Sequence, residues 1–235
     1  MVRVAVTGSN GLLGTKLLEL LLPQPDVQVS GLSRAPRANG YLGPLDFHQV
    51  DLTDIPATQA AIARLIEEGG AFDVLVNNAA NDDRHKIEEV TEAYWNDRIN
   101  VNLRHHFFCA QAVIPAMQAK GGGAIINLGS ISWHLGIKEL AIYQTAKAAI
   151  EGLTRALARE YGEDDIRVTC VVPGNVRTPR QLKWYTPEGE AEIVAAQALK
   201  GRLAPEDIAS LVLFLASDDA RLMTGHEIFI DAGWR

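Results

Sequence analysis

Residues 1–14 read Met1-Val2-Arg3-Val4-Ala5-Val6-Thr7-Gly8-Ser9-Asn10-Gly11-Leu12-Leu13-Gly14. Val2 to Val6 is a short apolar run, the pattern of a strand buried on both faces. It passes through glycines at 8, 11 and 14 into a leucine-rich stretch, Leu12 to Leu22, that stops at Pro23. A strand, a glycine-rich turn and a helix together form the context that a dinucleotide fingerprint requires. Glycines permit the tight turn and close backbone approach to a pyrophosphate. The helix N-terminus adds unpaired N–H groups and the positive end of a dipole. Gly8, Asn10, Gly11, Leu12, Leu13 and Gly14 are therefore candidate cofactor-binding residues.

The same alternation continues outward. Further strands are predicted at Val27–Leu32, Phe47–Val50, Phe72–Val76, Ala124–Leu128, Arg167–Val172 and Glu227–Ile230. Helices are predicted at Thr58–Glu68, Ala93–Lys120 with a break near Pro115, Ile142–Tyr161 and Glu206–Ala216, and Arg34–Leu45 reads as loop. Short apolar strands alternating with amphipathic helices imply an α/β fold with a parallel sheet covered on both faces. The expectation is one doubly wound domain over residues 1–235 with about seven strands, its ligand at the carboxyl ends of the strands.

Composition supports this and excludes several functions. The 235 residues are 47% hydrophobic and 22% charged, with 22 basic against 29 acidic side chains and a net charge of −7. A globular chain of this size buries enough surface to need no disulfide or metal. No basic excess points to nucleic acid, and an acidic surface disfavours an anionic membrane. Cys109 and Cys170 both lie in apolar runs and read as buried thiols in a reducing compartment. No stretch has the length of a membrane span, and the N-terminus lacks the apolar core of a signal peptide. The expected location is the cytoplasm. No His and carboxylate set has metal-ligand spacing, so no catalytic metal is predicted.

Four more motifs carry chemistry. At the end of the second strand, Gly31-Leu32-Ser33-Arg34 lacks the acidic residue that would take the adenosine ribose hydroxyls, and Ser33 and Arg34 suit a 2′-phosphate. NADP is therefore expected in preference to NAD. Asp51 and Leu52, at the end of the third strand, suit the adenine edge, although an isolated Asp also caps turns. Asn77-Asn78-Ala79-Ala80 follows the fourth strand, its small residues leaving room for a ribose and its amides able to tie strands together. Tyr143-Gln144-Thr145-Ala146-Lys147 places Tyr and Lys at i and i+4 on one helix face, and Ser130 precedes Tyr143 by thirteen positions. An ammonium beside a buried tyrosine lowers its pKa, so that the phenolate can take a proton from a substrate hydroxyl.

With these motifs the chain resembles the short-chain dehydrogenase/reductase family over essentially its whole length. The resemblance implies a Rossmann-type fold and an NAD(P)-dependent oxidoreductase. Its catalytic tetrad falls on Asn102, Ser130, Tyr143 and Lys147. Tyr143 would be the general acid/base and Ser130 would hydrogen-bond the reacting oxygen. Lys147 would lower the tyrosine pKa and hold the nicotinamide ribose, and Asn102 would anchor a proton-relay water. Asn78, Ala79, Ala80 and Val101 would line the cofactor with Tyr143 and Lys147, and Pro173, Gly174, Val176 and Thr178 would form the loop over the nicotinamide. The resemblance also implies a homotetramer or homodimer.

From about Phe72 onward the match narrows to sugar 1-dehydrogenases of the family, which oxidise the anomeric carbon of an aldopentose such as D-xylose to the lactone and usually use NAD. Asn81-Asp82-Asp83-Arg84-His85, Gly129-Ser130-Ile131-Ser132-Trp133-His134 and Asp231-Ala232-Gly233-Trp234-Arg235 carry it. The substrate candidates are Asn81, Arg84, Ser130, Trp133, Tyr143, Asn175 and Trp184. Residues 1 to about 54 look more like the extended branch, with glycines spaced as in dTDP-4-dehydrorhamnose reductases and sugar-nucleotide epimerases. The expectation is a chimera joined between about residues 54 and 71. Another sugar, alcohol or ketone would suit the same tetrad, and a nucleotide-binding regulator or a weakly active hybrid are the competing readings.

Overall fold

A computed structural model describes residues 1–36, 45–178 and 186–234. The opening segment forms β1 (Val2–Thr7) and α1 (Leu12–Leu21). The remaining strands are β2 (Val27–Ser33), β3 (Leu45–Gln49), β4 (Val74–Asn77), β5 (Gly123–Leu128), β6 (Ile166–Pro173) and β7 (Glu227–Ile230). They pair in parallel in the order β3-β2-β1-β4-β5-β6-β7. The chain builds outward from β1 in one direction, then restarts at β4 and builds outward in the other. The carboxyl ends of β1 and β4 thus flank the crevice where such sheets bind ligands.

The strands alternate their burial between two cores, as a two-residue period requires. Val4, Val6, Val74, Val76 and Ile126 pack with Leu17 and Leu18 of α1 and with Ile208, Val212 and Leu215 of α8 (Pro205–Ala216). Ala5, Leu75 and Ile125 face the opposite layer, built from α2 (Ile55–Gly69), α4 (His105–Lys120) and α6 (Ala141–Glu160). Local signals fix the helix limits. Asp54 caps α2 by accepting the Ala57 N–H (3.0 Å), and Gly121 ends α4 in the left-handed conformation (φ 92°).

The predicted helix from Ala93 to Lys120 is broken, but not at its proline. α3 (Glu92–Ile99) passes through a π-type turn, Asn100–Arg104, into α4, and Pro115 lies inside α4. The proline removes one backbone donor, yet Val113, Ile114 and Met117 around it are buried, and this packing carries the helix through. The third strand lies at Leu45–Gln49 instead of Phe47–Val50, and the fourth begins at Val74 instead of Phe72. Among the described residues, the α-helices α5 (Ser132–Leu135) and α7 (Pro187–Ala196) were not anticipated, the latter capped by the Thr186 hydroxyl.

Candidate active site

Thr7 and Asn78 lace the two walls of the crevice together. The Thr7 hydroxyl accepts the N–H groups of Asn78 (2.9 Å) and Ala79 (3.2 Å), and the Asn78 side-chain amide donates to the carbonyls of Thr7 (3.0 Å) and Gly8 (3.2 Å). Gly8 turns with φ +64°, and a Cβ there would stand 2.8 Å from the Ala79 Cα. A Cβ on Gly14 would collide with the Gly8 carbonyl oxygen and lie 2.8 Å from the Ser9 Cα. The fingerprint therefore works partly through internal packing, glycine against backbone. Gly11 is the N-cap of α1, and no side chain caps that helix. Its first N–H groups, beside Leu12 and Leu13, suit an anionic pyrophosphate.

At the far end of the crevice Ser33 is buried and Arg34 exposed. Asn10 donates to the carbonyls of Ala35 (3.0 Å) and Pro36 (2.7 Å), tying the glycine turn to the segment after β2. Asp51 accepts both the backbone N–H (3.0 Å) and the hydroxyl (2.8 Å) of Thr53. Burial pushes its carboxyl pKa up, but these bonds and the nearby Arg34 charge outweigh it and hold the group below its usual range. Asp51 thus does serve as a turn cap. Leu52 beside it is buried.

The four residues expected to form a tetrad come from three places: Asn102 from the π-type turn, Ser130 from the segment after β5, and Tyr143 and Lys147 from α6. Lys147 is 1% exposed, and its Nζ donates to the Leu128 carbonyl at the end of β5 (2.6 Å). The ammonium lies 5.5 Å from the centroid of the Tyr143 ring. Burial drives the Lys147 pKa down to about 8, against small opposing effects from Cys170 and Asp82. Tyr143 is half-buried, less enclosed than the buried tyrosine the sequence suggests. Ser130 Oγ contacts Ser132 Oγ (3.0 Å) and accepts the Ser132 N–H (3.2 Å).

Asn102 sits buried in the π-type turn, next to Val101. Such a turn displaces the usual helical bonding. The Asn102 amide donates to the Arg98 carbonyl (3.0 Å), while its Oδ1 accepts the Asn81 N–H (2.7 Å). Asn102 therefore anchors the loop after β4, a link that sequence spacing alone did not suggest. Behind the tetrad, Asn127 Oδ1 accepts from Asn77 (3.0 Å), meets His106 Nδ1 (3.2 Å), and Asn127 Nδ2 reaches Thr154 of α6 (3.0 Å). His105 and His106 are fully buried. Desolvation, helped by the Lys147 charge, holds His105 at about 3, so it is neutral there.

The substrate candidates divide. Asn81 stands beside Asn102, and Arg84 donates to the Lys138 carbonyl (3.2 Å) ahead of α6. Asn175 Oδ1 is taken by Arg202 (2.7 Å). Trp133 is drawn toward α6: its Nε1 donates to Glu151 (2.8 Å), its ring stacks on His134 (3.8 Å between centroids), and it lines a groove with Arg155 and Glu227. Trp184 lies outside the described residues. Of the residues expected to form the loop over the nicotinamide, Gly174 packs against Asp231, where a Cβ would stand 2.7 Å from its Cα, and Pro173 accepts the Ile131 N–H (3.0 Å). Val176 bridges to Leu203, Ala80 is exposed and Thr178 is half-buried. Sequence reasoning overlooked Ser132 as a partner of Ser130 and His85 as a partner of α6. Both depend on contacts that no linear spacing encodes.

Three comparisons place this arrangement among known proteins. Residues 28–235 match a family model described as enoyl-(acyl carrier protein) reductase. A D-xylose 1-dehydrogenase of Caulobacter vibrioides is 68% identical over 189 residues, covering 80% of this chain and 75% of that one. A protein of Rhizobium meliloti named "Probable galactose dehydrogenase" is 41% identical over 98% of this chain and 93% of its own. A solved 4-hydroxyisoleucine dehydrogenase complexed with NADH superposes with a TM-score of 0.91 at 27% identity, covering 100% of this chain and 98% of that one. The expected join near residues 54–71 is not supported, because the Rhizobium meliloti relative aligns across nearly the entire chain. The resemblance of residues 1–54 to rhamnose reductases rested on the spacing of Gly8, Gly11 and Gly14, and Gly8 and Gly14 are held here by close packing against Ala79, Gly8 and Ser9 backbone.

Proposed function

The chain belongs to the short-chain dehydrogenase/reductase family and is an oxidoreductase of that type; from this premise we propose that it is an NAD(P)-dependent sugar 1-dehydrogenase that oxidises D-xylose or a similar aldose at its anomeric carbon to the lactone. The observation that carries the reading is the buried Lys147 ammonium held beside the Tyr143 ring at the carboxyl end of β5. The D-xylose 1-dehydrogenase of Caulobacter vibrioides supports the sugar, and the Rhizobium meliloti protein extends the class to aldohexoses.

Gly8, Gly11, Gly14 and the open N-terminus of α1 would hold the pyrophosphate of a dinucleotide, with Ser33, Arg34, Asp51 and Leu52 around the adenosine. When bound, the nicotinamide supplies the hydride acceptor. Tyr143 takes the proton from the anomeric hydroxyl as its oxygen develops carbonyl character. Ser130 donates to that same oxygen and fixes its position. Lys147 favours the phenolate by its charge, at little solvent screening because it is buried. Asn102 keeps the loop carrying Asn81 and Arg84 against the site, where these polar groups can meet sugar hydroxyls. Arg34 favours NADP through charge-assisted bonds to a 2′-phosphate. The protein assembles as a homotetramer or homodimer on this reading.

Initial rates with D-xylose, L-arabinose and D-galactose, each with NAD and with NADP, test it. The expected result is turnover of D-xylose, faster with NADP. Tyr143→Phe should lower kcat by about 100-fold or more while leaving cofactor affinity intact. Turnover of none of these aldoses, or full activity in Tyr143→Phe, overturns the reading.

A further inference from the structure

The catalytic helix α6 starts without a cap of its own. Its N-cap residue, Leu140, offers no side-chain acceptor, and the first N–H groups of any helix lack intrahelical partners. One of them is served from far away in sequence. The backbone N–H of Ile142, the residue before Tyr143, donates to His85 Nε2 (3.3 Å).

An N–H can only donate, so Nε2 must carry the ring's lone pair and the proton must sit on Nδ1. Nδ1 lies 3.3 Å from the Asp83 carbonyl oxygen, an acceptor that fits this tautomer. The ring is half-buried and packed edge-on against Tyr94, with centroids 5.5 Å apart. The backbone of His85 is fixed too: its N–H donates to the Glu139 carbonyl (2.9 Å), and Glu139 holds a left-handed conformation (φ 64°) uncommon for a non-glycine residue. The neighbouring Arg84 grips the Lys138 carbonyl (3.2 Å).

These contacts make residues 81–85 a strap across the site. At one end the Asn81 N–H is bound by the buried Asn102 side chain (2.7 Å). At the other end His85 holds the first turn of the helix that carries Tyr143 and Lys147. We infer that His85 is a positioning residue: as a neutral hydrogen-bond acceptor it caps α6 and sets the orientation of Tyr143 relative to the groups that Asn102 anchors. This rests on the proposed role of Tyr143, and it adds a residue that acts through the helix it caps.

The test pairs His85→Leu, which fills the space without an acceptor, with His85→Gln, whose side-chain oxygen can take the same N–H. Hydrogen exchange is followed in the peptide containing Ile142, alongside kcat for aldose oxidation and cofactor affinity by titration. His85→Leu should exchange faster there and lose about tenfold in kcat, the scale expected of a slightly misplaced catalytic group, with cofactor affinity unchanged. His85→Gln should restore slow exchange and most of kcat. Wild-type exchange and kcat in His85→Leu overturn the inference. So does equal damage in both variants, which would make the ring's shape the operative feature. If the wild type oxidises no aldose, the functional reading fails, and the exchange comparison still decides whether His85 caps the helix.

Discussion

Lys147 makes a quantitative prediction because its charge is buried. In the native protein its pKa falls to about 8, while in the unfolded chain it returns to 10.5. Between those values the unfolded state binds more protons than the native state, so the free energy of unfolding rises with pH in that window. Below pH 8 the ammonium is charged in both states and the full cost of burying it is present. From pH 7 to pH 10 the relief amounts to about 2–3 kcal/mol, most of it gained between pH 8 and pH 10. The assay is urea unfolding at pH 7, 8, 9 and 10 of the cofactor-free wild type and of Lys147→Met, which has no titrating group at that position. Subtracting the two curves cancels the titration of groups that do not interact with Lys147. The wild type should gain on the variant by about 2–3 kcal/mol across the range. A difference flat to within about 0.5 kcal/mol would show that the ammonium is hydrated in solution, and would remove the low-dielectric basis for its action on Tyr143.

Two further substitutions test the frame of the site. Gly14→Ala should lower stability by about 1–3 kcal/mol and weaken cofactor binding, since the added methyl meets the backbone of the Gly8–Ser9 turn; urea unfolding and a cofactor titration read the two effects, and a variant unchanged in both would contradict the packing. Asn102→Ala leaves the Asn81 N–H and the Arg98 carbonyl without their partner. A loss of about 2–4 kcal/mol is expected from two part-buried groups left unpaired, read by the same unfolding measurement, and a variant as stable as the wild type would contradict the anchoring role.

The fold was legible because its signals are local and repeated. Apolar strand runs such as Val74-Leu75-Val76 and the stop at Gly69-Gly70 read directly from the chain, and the order of strand and helix then leaves few topologies. The pairing of Tyr143 with Lys147 was legible for the same reason, since four residues of helix bring them to one face. Other features needed the folded chain. The π-type turn at Asn102 has no periodic signature, and Pro115, the visible helix breaker, is carried through by packing around it. The destination of Trp133 depended on Glu151, eighteen residues away, and the cap supplied by His85 spans fifty-seven. The glycine spacing misled in the opposite sense: it records what a tight turn against Ala79 and Ser9 tolerates, and so carries less about ancestry than about sterics.

The lacing of Thr7 to Asn78 and Ala79 bears on how the crevice meets its ligand. One hydroxyl and one amide join β1 to β4 across the gap, and all of these bonds are made by the chain with itself. The spacing of the walls is therefore set before a dinucleotide arrives, and binding spends little free energy on ordering them. Affinity then depends on complementarity to a rigid slot. A heat-capacity change on binding should reflect the apolar surface covered by the ligand, with little added by refolding of the protein around it.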